Sequence, residues 1–334
     1  MAVVLLLSCG VYASSSENPA SGMDEWIISD EAGANGYYEY DLETKEGHFV
    51  PPSEIPEADY KAVPAEIPDM EEPNENISPF TVVGDDEREI VTNPTGRFGS
   101  TCLIASRFGP NDEDVFMGTG WLVNNSYLVT AGHNLYYDIY DRNQIKDNGN
   151  DGYPLHVAVY LAASGGKYKQ YRKGHKIDIG KNYRDYHIDS DNYFLFGVRD
   201  DWGIVKLDSP FTGSVGHLGW NQVNNASQMT KYKYFTQGYP RDLNIAKGLS
   251  WWNYYMYTSS GMIQGDDSMY SVFTNLDTEE GMSGAPIYRY INSTYGYCVE
   301  AMHVSGFDED GMRRYNTAVL LSPTLLAAIN NVIN

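Results

Sequence analysis

LVTAGH at residues 128–133, DWGIVKL at 201–207 and GMSGAP at 281–286 are the three stretches that decide the fold. In the first, His133 follows a short apolar run, and in the second, Asp201 comes directly before one. In the third, Ser283 lies between small residues. Taken singly, these patterns are typical of a structural histidine, a carboxylate at a strand end and a serine in a turn. Taken together, and in this order along the chain, they supply the three groups of one nucleophilic site.

The chemistry of acyl transfer gives each of these residues a role. A serine hydroxyl attacks the carbonyl carbon, an imidazole takes its proton, and a carboxylate orients the imidazole and stabilises its charged form. The sequence therefore predicts a catalytic triad of Ser283, His133 and Asp201. Gly281 lies two residues before the serine, so its backbone N–H and that of Ser283 can converge on the developing oxyanion. Gly284, on the other side, permits the tight turn that exposes the hydroxyl.

Short runs rich in β-branched and aromatic residues recur after about residue 81, separated by turn residues. This texture predicts an all-β domain, either a barrel or a sandwich. Near the end of the chain, Ser322 can cap a helix and Pro323 suits its first turn. The apolar residues that follow at helical spacing, and so predict a closing C-terminal helix, are Leu325, Leu326, Ile329 and Ile333.

The three stretches resemble the active-site blocks of the chymotrypsin- or trypsin-like serine proteases, and among these the bacterial glutamyl endopeptidases. Further stretches that resemble the subfamily are Thr81–Arg88 (TVVGDDER), Gly238–Pro240 (GYP) and Ala301–His303 (AMH). The resemblance implies an all-β domain of two antiparallel six-stranded β-barrels with a C-terminal α-helix, spanning residues 81–334. It also implies a secreted serine endopeptidase, made as a zymogen, that cleaves protein or peptide substrates after Glu or Asp without a cofactor.

The specificity pocket is predicted from the residues before the nucleophile and on a later strand. The resemblance implies that His303 reads the substrate carboxylate, and Thr278 can add a hydroxyl donor. Ser305 continues the strand that pairs with the substrate backbone. Asp277 stands at the spacing where trypsins carry the aspartate of a Lys/Arg pocket, so that specificity remains open. Glu280 is expected to add negative charge at the pocket mouth and to weaken the binding of acidic substrates.

The N-terminal region differs from the rest in composition. Residues 1–80 carry 17 acidic and two basic side chains, whereas residues 81–334 carry 28 and 21. An apolar run ending at Ala13 predicts a signal peptide over residues 1–13, and a loose lipobox ending at Cys9 is the alternative, with attachment at the cell surface. Residues 14–80 are Pro- and Glu-rich, which predicts a largely disordered pro-segment removed near Glu75 or Thr81.

The net charge of −22 argues against nucleic acid as a partner, because phosphate binding needs clustered Lys and Arg. No segment is long and apolar enough for a stable membrane span, and we expect a monomer. No histidine spacing indicates a metal site, and Asp147–Gly152 resembles a calcium loop only faintly. The basic, aromatic run between Lys167 and Arg184 is expected to form a solvated surface loop, or a patch that steers acidic substrates.

One departure from the family pattern, the pairing of two cysteines and the choice between two rival functions stay open. A disulfide often flanks the catalytic histidine in secreted members, but here Gly118 and Asn134 stand at the matching positions. A Cys102–Cys298 bridge is possible, though sequence cannot place the two residues within reach. The rivals are a trypsin-like endopeptidase of Lys/Arg or broad specificity, and a non-catalytic secreted binding protein on the same scaffold.

Overall fold

The computed structural model describes most of the chain beyond residue 34. The described residues are 35–55, 62–67, 86–109, 115–137, 150–186, 198–223, 226–266, 271–274, 276–309 and 312–333. The strands within them are β1 (Tyr37–Asp41), β2 (Glu46–Val50), β3 (Glu89–Val91), β4 (Thr101–Arg107), β5 (Val115–Leu122), β6 (Tyr127–Thr130), β7 (His156–Leu161), β8 (Gln170–Gly180), β9 (Gly203–Leu207), β10 (Gly219–Trp220), β11 (Lys233–Gly238), β12 (Met256–Asp266), β13 (Ser271–Thr274), β14 (Pro286–Tyr290), β15 (Tyr297–Glu309) and β16 (Met312–Leu320). The α-helices are α1 (Lys181–Tyr186), α2 (Arg241–Ala246) and α3 (Pro323–Ile333).

The first sheet closes into a six-stranded antiparallel barrel. Its strand order is β8-β7-β4-β5-β6-β9, and β9 pairs back onto β8 to complete the ring. The strands alternate inward apolar and outward polar residues, so that Ile104, Val159, Ile177 and Val205 are fully buried in its core. Closure leaves the ring without free edges along its paired length.

The second sheet closes in the same way. Its ring runs β15-β14-β11-β12-β13-β16, and β16 pairs with β15 along most of that strand. Two short strands lie outside the ring, because β3 pairs with β12 and β10 runs parallel to β15. The predicted fold class of two six-stranded antiparallel barrels is therefore confirmed.

The C-terminal helix α3 begins where the sequence indicates. The N–H of Leu325 donates to Ser322 Oγ at 3.2 Å, and that of Leu326 donates to the Ser322 carbonyl at 2.9 Å. The Ser322 hydroxyl therefore satisfies one of the N–H groups that a helix leaves unpaired at its start, and the Ser322 carbonyl accepts the first hydrogen bond of the helix. The residues predicted to dock the helix are buried through Ile329, whereas Ile333 is only partly buried. The predicted closing helix is confirmed.

Part of the stretch assigned to the pro-segment is folded. Residues 37–50 form the hairpin β1–β2, and β1 pairs antiparallel with β8 of the first barrel. Residues 62–67 form isolated bridges with His217 and Trp220. Disorder was expected because the segment is acidic, but its tyrosines supply apolar surface that the charge count hides. For these two stretches the expected disorder is wrong, and removal of residues 14–80 as a pro-segment stays a prediction.

The basic run between Lys167 and Arg184 is also not a surface loop. It forms β8 and begins α1, with Ile177 and Ile179 facing the barrel core. Lys176 and Asp178 alternate with these apolar residues, which is the period of a strand, although Asp178 is itself buried. The expectation of a solvated loop is therefore wrong.

The two cysteines that the structure describes are not bonded to each other. Cys102 lies in β4 of the first barrel and Cys298 in β15 of the second, and both are free and buried. Burial raises the pKa of both thiols, that of Cys298 to about 12. Cys9 lies outside the described residues. None of the described helices combines the length and the apolarity that crossing a membrane requires.

Candidate active site

His133 and Asp201 meet at one edge of the first barrel. β6 ends at Thr130, directly before a short 3₁₀ helix over Gly132–Asn134, and β9 begins just after Asp201. Since the two strands are antiparallel neighbours, with Thr130 opposite Gly203, the end of one lies beside the start of the other. The strand register therefore brings together two residues that lie 68 positions apart in the sequence.

Two hydrogen bonds fix this pair. His133 Nδ1 lies 2.8 Å from Asp201 Oδ2, and the backbone N–H of His133 donates to Asp201 Oδ1 at 2.9 Å. The two carboxylate oxygens of Asp201 therefore bond the same residue, and together they fix the orientation of the His133 ring and the position of its backbone. Asp201 is fully buried, whereas the His133 side chain keeps about a third of its surface exposed. The arrangement leaves the far ring nitrogen free to face a substrate site, as a general base must.

The carboxylate also tunes the imidazole. Burial by itself lowers the pKa of His133, but the charge of Asp201 and its hydrogen bond raise it, and the net shift is upward. A histidine with a raised pKa is a stronger base when neutral and a more stable cation once protonated. Both properties suit a group that takes a proton from a hydroxyl and later returns it.

The turn around Ser283 depends on glycine at two positions. Gly281 has φ +91° and Gly284 has φ +88°, both in the left-handed region that side chains rarely adopt. A Cβ at Gly281 would lie 2.4 Å from the Tyr239 carbonyl oxygen, and one at Gly284 would lie 2.2 Å from that of Thr119. The turn therefore needs glycine both for its conformation and for close packing against neighbouring backbone.

The peptide between Glu280 and Gly281 is oriented by a single contact. The Glu280 carbonyl accepts a hydrogen bond from the backbone N–H of Arg241 at 2.7 Å. Because the C=O and N–H of a trans peptide point in opposite directions, the Gly281 N–H points away from Arg241. Within the described part of the chain, neither this N–H nor that of Ser283 donates to a protein acceptor. These are the two donors that the sequence assigns to an oxyanion hole.

The first barrel holds the nucleophile turn in place. The Ser283 carbonyl accepts two hydrogen bonds, from the Thr119 N–H at 2.9 Å and from Asn134 Nδ2 at 2.8 Å. Thr119 Oγ1 also donates to the Gly281 carbonyl at 2.9 Å. Asn134 is the residue next to His133, so this amide brings the histidine turn within hydrogen-bond reach of the serine residue. The structure thus brings His133, Asp201 and Ser283 into one region between the barrels.

The structure explains why Gly118 and Asn134 stand where the family pattern has a disulfide. A Cβ built on Gly118 would lie within 2.3 to 2.7 Å of the Asn134 side-chain amide. The amide therefore fills the space that a side chain at position 118 would occupy. It also donates to Thr130 Oγ1 at 2.9 Å, and Asn134 is only 4% exposed. A small residue and a buried amide stand where the family pattern has a covalent bridge.

The predicted pocket residues Thr278 and His303 lie side by side. Thr278 Oγ1 is 3.3 Å from His303 Nδ1, and both residues are buried. His303 is held by its backbone as well, because its N–H donates to the Ala285 carbonyl at 2.9 Å and its C=O accepts from Gly284 N–H at 2.8 Å. Ser305 lies further along β15, past a bulge, and is half-buried. The pocket strand is therefore pinned directly to the nucleophile turn.

Asp277 and Glu280 each have a partner that sequence reasoning did not foresee. Asp277 Oδ2 accepts a hydrogen bond from the backbone N–H of Glu87 at 2.7 Å. Glu280 receives two hydrogen bonds from Arg241 Nη1, at 2.7 and 2.8 Å, in an exposed ion pair. The charge expected to repel acidic substrates is thus balanced by a guanidinium.

Three residues of this site were missed from the sequence: Thr119, Asn134 and Arg241. Thr119 belongs to the GTGW stretch before the histidine block, where its small neighbours could have indicated close backbone packing. Asn134 and Arg241 carry no local signal, because each acts on a segment more than 30 residues away.

No three His, Cys, Asp or Glu side chains are grouped to hold a metal ion in the part of the chain that the structure describes. Asp147–Gly152, the faint calcium loop, lies mostly outside the described residues.

Comparison with known proteins places this site in context. The chain is 23% identical over 308 residues, 92% of its length and 86% of the relative's, to a Bacillus subtilis protein named extracellular metalloprotease. It is 25% identical over 231 residues, 68% of its length, to a glutamyl endopeptidase of Bacillus licheniformis, and the match spans 61% of that protein. No protein-family model matches.

A solved structure shows the same fold. The structure of a Glu endopeptidase in complex with MPD aligns with a TM-score of 0.57 at 19% identity, over 75% of this chain and 99% of that one. The alignment agrees with the two closed barrels and the C-terminal helix described above. The chain thus has a chymotrypsin-like fold and is similar in sequence to a bacterial glutamyl endopeptidase.

Proposed function

We propose that the chain is a secreted serine endopeptidase that cleaves after Glu or Asp, with His133, Asp201 and Ser283 as its triad. The observation that carries the proposal is the buried Asp201 carboxylate bonded to both the ring and the backbone of His133. A purely structural histidine would not require a fully buried carboxylate beside it, because burying a charge costs free energy. Buried carboxylates paired with a titratable group are more typical of functional sites.

The proposed mechanism gives each of these residues a role. Ser283 Oγ attacks the scissile carbonyl carbon while His133 takes the hydroxyl proton and Asp201 stabilises the resulting imidazolium. The N–H groups of Gly281 and Ser283 donate to the oxyanion of the tetrahedral intermediate. His133 then gives the proton to the leaving amine, which leaves an acyl-enzyme. Water, activated by the same histidine, attacks the ester carbonyl and releases the acid product and free Ser283.

Preference for an acidic residue before the scissile bond is supported by the pocket pair. Thr278 Oγ1 and His303 Nδ1 share a hydrogen bond; when the hydroxyl donates to Nδ1, the ring carries its proton on Nε2, and this N–H is a donor that suits a carboxylate. The burial of both residues strengthens such bonds, because water competes poorly there. The pairing of Glu280 with Arg241 removes the main electrostatic objection to an acidic substrate.

The alternative is a pocket for Lys or Arg with Asp277 at its base. Its carboxylate Oδ2 already accepts a hydrogen bond from the Glu87 N–H, so this oxygen is engaged within the chain. That contact favours the histidine over the aspartate as the recognising group. A non-catalytic binding protein is the second alternative, and the intact triad and glycine turn argue against it.

Secretion and processing belong to the same proposal. One relative is named an extracellular metalloprotease, and the word extracellular supports export through a signal peptide over residues 1–13. Zymogen maturation after Glu75 would suit an enzyme that cuts after Glu, whereas a mature start near Thr81 would match the resemblance to the glutamyl endopeptidases. N-terminal sequencing of the secreted protein tests it, and a mature start beyond residue 90 would exclude cleavage at these sites.

The deciding experiment combines a fluorophosphonate probe with a peptide library. Wild type, Ser283→Ala and His303→Ala are compared, with Ser209→Ala as the matched control because Ser209 is an exposed serine outside the predicted site. We expect wild type and the control to label and to cut after Glu or Asp. Ser283→Ala should do neither, and His303→Ala should still label but cut with broader preference. An EDTA arm is expected to leave labelling unchanged.

Other outcomes separate the alternatives. Cuts after Lys or Arg, lost in Asp277→Asn, would replace the glutamyl assignment with the trypsin-like one. Absence of both labelling and cleavage in folded, processed wild type would leave the binding protein as the better explanation.

A further inference from the structure

The hairpin β1–β2 lies where the first barrel would otherwise have an exposed strand edge. β7 pairs with β8 only over residues 170–173, whereas β8 continues to Gly180. β1 takes up the remaining length in continuous register, from Tyr37 opposite Gly180 to Asp41 opposite Lys176. The Leu42 N–H then donates to the His175 carbonyl at 2.9 Å. Without β1, this row of backbone groups would lack its protein partners on one side.

Two tyrosines anchor the hairpin in the barrel. Tyr37 is 2% exposed, packs edge-on against Trp202 at 6.4 Å between ring centroids, and accepts a hydrogen bond from Asn331 Nδ2 at 2.7 Å. Tyr40 is 4% exposed and stacks on Tyr153 with centroids 4.0 Å apart and planes 3° from parallel. Buried aromatic side chains of this size contribute strongly to packing. Trp202 follows Asp201 directly, so the hairpin supports the strand that carries the predicted triad carboxylate.

Charged side chains strengthen the same interface. Lys176 Nζ donates to Glu39 Oε1 at 2.8 Å, and the Arg184 guanidinium lies 4.0 Å from the centroid of the Tyr38 ring. These two basic residues come from the run that the sequence assigned to a surface loop. Glu39 thus has a basic partner in Lys176 of β8, although the residue directly opposite it in the strand register is Asp178.

A second contact lies further along the same segment. Val63 and Glu66 form antiparallel bridges with Trp220 and His217. The Ala65 N–H donates to the Tyr295 carbonyl at 2.9 Å, in a loop of the second barrel. The described parts of residues 35–67 thus contact both barrels, whereas a segment removed on maturation needs to contact neither.

We propose that residues 35–67 are a permanent part of the folded enzyme, so that a cut between residues 67 and 86 yields two pieces that stay bound along β8. The interaction surface is the outer edge of β8 with Trp202 and Tyr153, and its partner is this chain's own N-terminal segment. Processing near residue 80 then produces a two-chain enzyme, and the acidic segment is retained as a non-covalent subunit.

The test uses the full chain with a recognition sequence for a site-specific protease inserted between residues 75 and 76, in a Ser283→Ala background. That background keeps the result independent of the proposed catalytic function. After cutting, native mass spectrometry and gel filtration at micromolar concentration are expected to find both pieces in one 1:1 complex. Separation is expected only with denaturant. Elution of the N-terminal piece apart from the rest would overturn the proposal.

Variants of the same cut chain identify the surface. Tyr37→Ala with Tyr40→Ala is expected to raise the dissociation constant of the two pieces by about 100-fold, because two buried aromatic contacts are lost. Glu39→Gln changes an ion pair and leaves the packing intact, so it is a milder test of the same surface. It should raise the dissociation constant only a few-fold. His48→Ala is the control, since His48 is an exposed residue of β2. Equal dissociation constants in the tyrosine double variant and the control would exclude the β8 edge as the binding surface.

Discussion

The two barrels contribute to the site in unequal ways. The first barrel supplies a histidine and a carboxylate joined by two bonds of 2.8 and 2.9 Å, at the paired ends of neighbouring strands. The second barrel supplies Thr278 and His303, joined by one contact of 3.3 Å, with a bulge just beyond the histidine. The chemical pair is held tightly, whereas the recognition pair rests on a single longer contact.

The nucleophile turn belongs to the second barrel in sequence, but the carbonyl of its serine is held by the first barrel. The Ser283 carbonyl is held by Thr119 and Asn134, both from the first barrel. Substitutions in the first barrel should therefore change the rate of the chemical step, and those in the pocket pair should change substrate preference. Four predictions test this division, starting with the largest expected effect.

Asp201→Asn should break the first-barrel pair most severely. An amide cannot hold the imidazole in the required tautomer or stabilise its charged form, and we expect turnover to fall by about 10,000-fold. The measurement is the steady-state rate on a Glu-containing peptide at pH 8, with Asp208→Asn as the control because Asp208 is exposed. A loss below tenfold would show that Asp201 does not serve His133 in catalysis.

Asn134→Ala should remove one hydrogen bond between the first barrel and the nucleophile turn. The buried Ser283 carbonyl would keep only one of its two donors, and we expect turnover to fall by about 10- to 100-fold with little change in substrate preference. Asn134→Asp keeps the shape but loses the donor, so it should behave alike. Asn125→Ala serves for comparison, since that amide makes only a 3.4 Å surface contact with the Gly213 carbonyl. An unchanged turnover in both Asn134 variants would contradict the positioning role.

Thr278→Val should affect only the recognition pair. The change keeps a similar side-chain volume but removes the hydroxyl that contacts His303 Nδ1, and we expect the preference for Glu over Gln to fall by about 3- to 10-fold while the best rate is maintained. Competition between two matched peptides measures it directly. A fall in rate with unchanged preference would mean that the pocket also positions the nucleophile turn.

The pH profile should show the smallest effect. Because Asp201 raises the pKa of His133 above its ordinary value of about 6.5, protonation should remove the base, and with it activity, at a higher pH than for a free histidine. In Asp201→Asn the acid limb of the residual labelling rate should move to lower pH, since the charge that favours the imidazolium is gone. A shift in the opposite direction would show that burial, not Asp201, dominates.

The sequence predicted those features that have a local signature. The short apolar runs around Val129 and Val205 predicted the two strands beside His133 and Asp201. Ser322 and Pro323 predicted the start of α3. Both rings of six strands followed from the family resemblance, which rests on short motifs with strong local signals.

The rest depends on contacts between distant segments. Tyr37 and Tyr40 lie among acidic residues, and only the open edge of β8 shows why they are buried. Asn134 could not be assigned a role because its acceptor is 149 residues away in sequence. The charge of the basic run predicts a surface loop, although the alternation of Ile177 and Ile179 with polar residues indicates a strand.

The free thiols of Cys102 and Cys298 bear on how the protein can be made. Each is buried in a different barrel, and burial raises the pKa of each, so that little thiolate forms near neutral pH to exchange with other sulfurs. The part of the fold that the structure describes contains no cystine and relies on packing and hydrogen bonds alone. Production in a reducing host, without oxidases or disulfide isomerases, should therefore give the same melting temperature as export into an oxidising medium.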